Sequence, residues 1–414
     1  VGSEMCIRDR AKGVTLKRAA EHIAKESSIG TWTTISTMNM HVATKLRPHA
    51  YYIDSERKVI KIAYPSELFE AGNMPQIYSA IAGNIFGMNA IDSLRLEDID
   101  FPESIMKKFK GPKFGIPGVR KLLKVKDRPL VGTIVKPKVG LNELQHAKVA
   151  YEAWAGGLDI VKDDENLTSM KFNRFEDRVI KTLEWRDKAQ SETGEKKMYM
   201  ANVTADTDTM IKRAQFVKDH GGEYFMVDIL TCGWSGLQTL RDVNLDLVIH
   251  AHRAMHGALT RVPDHGISML TLAKTARIIG VDQIHIGTAV GKMQGGEDEV
   301  RMLEIEVEEK MINENDKMCV LEEDFGKMKP VFAVASGGLH PGLTPKLVDI
   351  FGNNIIMQFG GGCHGHPDGT RAGAIAIRQA LDAKMKGINL KKYAKDKKEI
   401  AAAIKKWGFD TPKN

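Results

Sequence analysis

The four residues Lys162-Asp163-Asp164-Glu165 set one ammonium beside three carboxylates at the end of the apolar run LDIVK (158–162). On a protein surface such a cluster is ordinarily a solvated charge run. After a buried strand it reads differently, because side chains alternate: Lys162 and Asp164 share a face, and Glu165 joins them if the chain turns there. Carboxylate oxygens with few nitrogen neighbours suit Mg2+. A lysine can supply a third oxygen ligand only by carrying CO2 as a carbamate, and spacing alone does not establish that chemistry. Lys136-Pro137-Lys138 is the second candidate. The proline fixes the backbone between two ammoniums on the same side of an extended segment. On a surface these are solvated lysines. In a shared pocket, one would depress the pKa of the other and make a proton donor near neutral pH.

His252, Arg253 and His256 follow the run LVIHA, and His285 closes the run QIH. A lone histidine on an apolar face is usually structural, but histidines grouped with an arginine suit phosphate binding and proton transfer. Gly287 to Gly296 is a glycine-hinged loop carrying Lys292. It reads either as a plain flexible loop or as a lid that brings Lys292 over a substrate. Ser336-Gly337-Gly338 and Gly360-Gly361-Gly362 follow two consecutive apolar runs, and glycines let backbone N–H groups approach an anion closely.

The elements that must position these residues are eight short apolar runs: 131–135, 158–162, 198–203, 224–229, 247–252, 283–288, 331–336 and 354–359. Helical patterns such as 142–155 and 207–219 separate them. Continuous apolar runs are the mark of buried parallel strands. Eight βα units predict a (β/α)8 TIM barrel rather than the alternative doubly wound sheet. Six of the runs end in the polar or glycine clusters above, at the face where barrel enzymes place their active sites, with phosphate bound after strands seven and eight. The residues therefore predict a barrel enzyme with Mg2+, a phosphorylated substrate and lysine-assisted proton chemistry.

Ahead of the barrel the sequence predicts a smaller α+β domain over 11–110, with a helix over 11–25, a strand near Val59 to Tyr64, and a helix opened by Pro75 that buries Ile77, Ile81 and Ile85. The barrel domain, 111–414, ends in a helical tail. Residues 1–10, VGSEMCIRDR, have no signal-peptide core and no initiating Met, so they read as a sequence artefact to be excluded from the fold, with the natural N-terminus missing. Cys6, Cys232, Cys319 and Cys363 are far apart without CxxC spacing, which points away from a zinc site or disulfide framework and toward a reducing cytoplasm. No apolar run reaches the length of a membrane span. The net charge of +7 comes from dispersed lysines without aromatic interleaving, so it does not point to nucleic acid.

Taken in order, GTIVKPKVGL, GGLDIVKDDEN, HRAMHGA, HIGTAVGKM, SGGLHPG and QFGGGCHGHPDG resemble the motifs of the ribulose bisphosphate carboxylase (RuBisCO) large subunit. ESSIGTWTT and AGNIFGMNAIDSLRLED resemble the same family's N-terminal domain, and GNMPQIYSAIAGNIFGM is similar to its archaeal-type form III or related II/III branch. The resemblance implies that Lys162 is carbamylated by an activator CO2 and that the carbamate, Asp164 and Glu165 hold Mg2+. The metal would polarise the substrate carbonyl, and the carbamate would remove the C3 proton of ribulose 1,5-bisphosphate. Lys292 would stabilise the incoming carboxylate, Lys136 would protonate the final carbanion with Lys138 tuning it, and His252 would assist hydration and cleavage. Arg253, His285 and Ser336 would bind one phosphate. Gly337, Gly338, Gly360 and Gly361, with Thr31 and Trp32, would bind the other. Glu26 and Asn84 would reach in from a partner subunit, which implies at least a homodimer, without a small subunit and with O2 competing against CO2.

Three positions depart from the family pattern: Ile29 for Thr, Gln294 for Glu beside Lys292, and Cys363 for Thr. The expected consequence is altered loop closure or CO2/O2 selectivity rather than lost chemistry. The archaeal likeness implies a place in nucleotide-ribose salvage (AMP metabolism). The alternatives are a RuBisCO-like enolase or isomerase of sulfur salvage, and a non-catalytic sugar-phosphate-binding protein.

Overall fold

The computed structural model describes residues 3–31, 33–290 and 296–410. The expectations placed on Trp32, Lys292 and Gln294 lie outside the described residues. The chain divides into two compact units. One gathers Val1–Gly111, Met255–Ile279 and Glu309–Met328, and the other Pro112–Ala254, Gly280–Glu308 and Lys329–Asn414.

Among the described residues, fifteen strands follow one another. The first four are β1 (Glu4–Ala11), β2 (His49–Asp54), β3 (Val59–Ala63) and β4 (Ile91–Asp100). Next come β5 (Leu130–Ile134), β6 (Ile160–Lys162), β7 (Met198–Asn202), β8 (Tyr224–Asp228) and β9 (Val248–His252). They are followed by β10 (Gly266–Ile267), β11 (Gln283–His285), β12 (Met311–Ile312), β13 (Glu323–Asp324), β14 (Phe332–Ser336) and β15 (Ile355–Phe359).

The first unit holds a sheet of order β10-β4-β1-β3-β2, and β12 pairs with β13 apart from it. The exclusion of residues 1–10 from the fold does not hold. β1 lies at the centre of this sheet, antiparallel to both β3 and β4, and Met5, Cys6 and Ile7 have no exposed surface. Its pairing partners lie some 50 to 100 residues downstream, so local composition carries no trace of them. The first helix is correspondingly shorter than expected. It spans Leu16–Glu26, with the Thr15 side chain accepting from the Arg18 N–H as its cap. Ile77 and Ile81 are buried on the expected helix, which spans Met74–Ile81, while Ile85 is buried beyond its end on the separate turn Asn84–Gly87. The Lys274 ammonium meets Asp98 at 2.8 Å with both side chains fully buried, tying the later helix Met269–Ile279 to β4 within this unit. Removing either partner alone would strand a buried charge, at about 3–5 kcal/mol.

In the second unit the eight expected strands close into a parallel barrel, β11-β14-β15-β5-β6-β7-β8-β9. Leu130, Ile160, Met198, Met200, Tyr224, Met226, Val248, Phe332, Val334 and Ile356 fill its interior with the helix Gly115–Leu123 packed on through Ile116, Val119 and Leu123. This filled core leaves chemistry to the strand ends. The helix after β5, Glu143–Ala155, starts with a capping box in which Asn142 and Gln145 satisfy each other's backbone N–H groups. The expected helical tail is Leu390–Tyr393 and Lys398–Trp407, whose Leu390, Ile400 and Ala403 pack on Ala376, Ala380 and Ala383. No helix among the described residues is long and apolar enough to cross a membrane. All four cysteines are free thiols.

Candidate active site

β6 ends on Lys162, and the side chains beyond it separate as strand alternation requires. Lys162 has no exposed surface. Its Nζ donates to the Asp163 carbonyl at 2.8 Å, lies 3.0 Å from Met226 Sδ and stands 3.8 Å from Glu165 Oε2. Burial, opposed only in part by Glu165 and Asp228, pulls its pKa below the ordinary 10.5. Asp164 and Glu165 turn toward the same mouth. Burial would raise both carboxyls, but Lys136 and Asn166 hold Asp164 low, and Lys162 and His252 hold Glu165 low, so both are acceptors at neutral pH.

Asp163 points the opposite way. It receives Tyr199 OH at 2.7 Å, the Asn202 N–H at 3.0 Å and Arg178 Nε at 3.1 Å, and lies 3.0 Å from His146 Nε2. Against the cost of burial, Arg178 and His146 keep its carboxyl well below the usual range.

Lys136 and Lys138 both reach this cluster, though not from the extended segment the sequence predicts. The stretch is bent, with a cis Lys136–Pro137 peptide. Lys136 Nζ meets Asp164 Oδ2 at 2.6 Å and Lys138 Nζ approaches Glu165 Oε1 at 3.6 Å. Each ammonium therefore faces a carboxylate rather than chiefly its neighbour.

On the next strands His252 Nδ1 is 2.8 Å from Asp228 Oδ1, and His252 Nε2 is 3.7 Å from Glu165 Oε2. Burial and the nearby Lys162 lower His252 to about 3, and burial raises Asp228 to about 6. His285 bridges outward and inward, with Nδ1 2.6 Å from Ser336 Oγ and Nε2 2.8 Å from His250 Nε2. Arg253 is buried, which lowers it to about 10, and a Cβ on Gly287 would sit 3.2 Å from its guanidinium. His256 lies in the first unit, against Thr260 Oγ1 at 3.0 Å.

The two glycine loops pack on one another. Gly337 and Gly338 take φ of +110° and +74°, which only glycine adopts freely. A Cβ on Gly362 would stand 2.1 Å from the Leu339 carbonyl oxygen, and one on Gly360 would stand 3.4 Å from Lys136 Cε. Gly361 opens a short helical turn, Gly361–His364. Cys363 is buried beneath it, its thiol pushed up to about 12 by burial. Gly362→Ala is expected to spread the two loops and cost about 1–3 kcal/mol by overpacking, read as a lower denaturation midpoint; an unchanged midpoint would contradict the close approach.

Glu26, Thr31 and Asn84 come together in the first unit. Asn84 Nδ2 donates to Glu26 Oε1 at 3.3 Å, and all three line a cavity of about 740 Å³.

Two strand ends passed over in the sequence also contribute. Asn202, closing β7, donates from Nδ2 to the Glu165 carbonyl at 3.2 Å, and Asp228 closes β8. Both are polar residues terminating apolar runs, the same signal that marked the other six. His250 was legible by alternation with His252, two residues away on the same face. The partners of Asp163 left no local signal.

The His250–His285 contact has a consequence for stability. Burial lowers both rings well below the ordinary 6.5, so both stay neutral in the fold and protonate in the unfolded chain. Their stabilisation is complete above the unfolded value and is lost as pH falls through it, by up to about 1.4 kcal/mol per pH unit for each ring. Urea midpoints measured from neutral pH down to about pH 5 are expected to drop; a flat profile would contradict two buried neutral rings.

Comparison with known proteins finds two family models that match the chain. The family described as ribulose bisphosphate carboxylase large chain, catalytic domain, matches residues 115–407, and its N-terminal domain matches 7–105. A ribulose bisphosphate carboxylase of Methanosarcina acetivorans is 54% identical over 400 residues, covering 96% of this chain and 94% of that protein. The dimeric archaeal Rubisco from Hyperthermus butylicus superposes with a TM-score of 0.93 at 46% identity, covering 99% of this chain and 96% of that one. The octameric ribulose-1,5-bisphosphate carboxylase/oxygenase from Pyrococcus horikoshii, in complex with sulfate ion, gives 0.91 at 46% identity, covering 99% and 94%.

Proposed function

This chain belongs to the archaeal-type ribulose bisphosphate carboxylase large-chain family, and from that premise we propose how its residues divide the work. The reaction is addition of CO2 to the enediolate of ribulose 1,5-bisphosphate, then hydration and cleavage to two 3-phosphoglycerate, with O2 as the competing gas. The observation that carries this reading is Lys162: a wholly buried amine, held toward its neutral form, beside two ionised carboxylates. A neutral amine can take up CO2 as a carbamate, and the resulting three-oxygen set of Lys162, Asp164 and Glu165 fits Mg2+. When bound, Mg2+ supplies Lewis-acid polarisation of the substrate carbonyl.

Deprotonation at C3 falls to Lys162 in its carbamylated form. His252, oriented through Nδ1 by Asp228, presents Nε2 toward the Glu165 side of the mouth for proton transfer during hydration and cleavage. Lys136 holds an ammonium at the mouth as proton donor to the final carbanion, and Lys138 tunes the field around it. Arg253, His285 and Ser336 take one phosphate. Gly337, Gly338, Gly360 and Gly361 take the other through backbone N–H groups, together with Thr31 and Trp32. Lys292 covers the incoming carboxylate. Glu26 and Asn84 are supplied by a second copy, so the working form is a homodimer or an assembly of dimers without a small subunit. The setting is cytoplasmic nucleotide-ribose salvage.

The test is product analysis. With 13CO2, Mg2+ and ribulose 1,5-bisphosphate, the protein is expected to give two 3-phosphoglycerate per substrate, one of them labelled in its carboxyl carbon. Substrate turnover without label would favour an enolase or isomerase, and binding without turnover a sugar-phosphate-binding protein.

A further inference from the structure

We propose that Asp163 is a positioning residue for CO2 capture at Lys162, acting through its own main-chain carbonyl; the inference rests on the carbamate reading above. A neutral amine carries two N–H groups and one lone pair. The Asp163 carbonyl at 2.8 Å and Met226 Sδ at 3.0 Å are in reach of the two N–H groups, and the lone pair is then left free to meet CO2. In the reaction the lone pair forms the N–C bond, one C=O electron pair of CO2 moves onto oxygen, and one N–H proton is released to solvent. The product is an N–H carbamate, and its remaining N–H keeps the Asp163 carbonyl as acceptor.

The position of that carbonyl is fixed by the side chain of the same residue. The Asp163 carboxylate accepts hydrogen bonds from Tyr199 on β7, the Asn202 N–H at the end of β7 and Arg178 on the helix Phe175–Thr193, and it packs 3.0 Å from His146 Nε2 on the helix Glu143–Ala155. Three separate elements thus clamp the peptide that links Lys162 to Asp164. Asp163, Arg178 and His146 are all buried. A buried ionic cluster is not needed for stability alone, since apolar side chains of similar volume serve as well or better. Fixing one carbonyl against a reactive amine is a task that apolar packing does not perform.

The test is 13C NMR of the protein-bound carbamate on the full chain, titrated with 13CO2 at fixed pH and without sugar substrate, in wild type, Asp163→Asn and Tyr199→Phe. The CO2 concentration for half-maximal carbamate is expected to rise about tenfold in Asp163→Asn and about threefold in Tyr199→Phe, the size of a weakened or lost hydrogen bond. Turnover of Tyr199→Phe at saturating CO2 and Mg2+ should match wild type, a split that a merely structural role would not produce. If Asp163→Asn does not fold, Tyr199→Phe decides. A wild-type half-maximal value in folded Tyr199→Phe would overturn the inference while leaving the carbamate reading intact. No carbamate signal in wild type would overturn both.

Discussion

Lys162→Met is expected to fold, to melt no lower than wild type, and to lose carboxylation by about 10^3-fold or more. The two halves of this expectation share one cause. Lys162 is fully buried at the end of β6, and burial disfavours its charged form. Methionine has similar length and no charge to desolvate, so the substitution removes a cost from the barrel interior. On the proposed reading it also removes the amine that takes up CO2, and with it the third oxygen offered beside Asp164 and Glu165. Thermal melting and CO2 fixation on the same preparation check both halves. A Met variant that melts well below wild type would mean that Lys162 is chiefly structural. One that still fixes CO2 would remove it from the chemistry.

The second large effect is expected at Lys136. Lys136→Met should reduce turnover by about 10^2–10^4-fold, the range of a lost general acid, while the Lys162 carbamate still forms. The separation follows from placement. Lys136 meets Asp164 at 2.6 Å from the β5 loop, whereas Lys162 is held by different partners, the Asp163 carbonyl and Met226. Without the Lys136 ammonium the Asp164 carboxyl should also rise toward its ordinary range, because that ammonium is the leading influence holding it down against burial. Carbamate NMR beside steady-state turnover distinguishes the outcomes: carbamate without product is expected, and loss of both would place Lys136 in activation instead.

Much of the barrel was readable because its signal is local. Each of the eight strands is a short apolar run, and six were marked by a polar or glycine cluster at the carboxyl end, where the chain leaves the packed interior. Lys162, Asp164 and Glu165 could be brought together by strand alternation and one turn. What the sequence concealed depends on distant partners. β1 looked foreign by composition, yet its place between β3 and β4 is set by residues 59–63 and 91–100. Asp163 stands between two residues read as ligands, and its role depends on Arg178, His146 and Tyr199, which no spacing rule connects to it. The sequence pattern makes the Lys136–Lys138 segment extended, but the stretch is bent and both ammoniums meet carboxylates that follow the neighbouring strand β6. Asp228 carries the same local signal, since it ends its strand as the other site residues do.

The most direct test of the central claim is fixation of 14C-bicarbonate into 3-phosphoglycerate, with ribulose 1,5-bisphosphate and Mg2+ under anaerobic conditions, comparing wild type with Lys162→Ala. Acid-stable label in wild type and none in the folded variant is the predicted result. No label in a folded wild-type protein, or equal label in both, would contradict a carboxylase activated at Lys162.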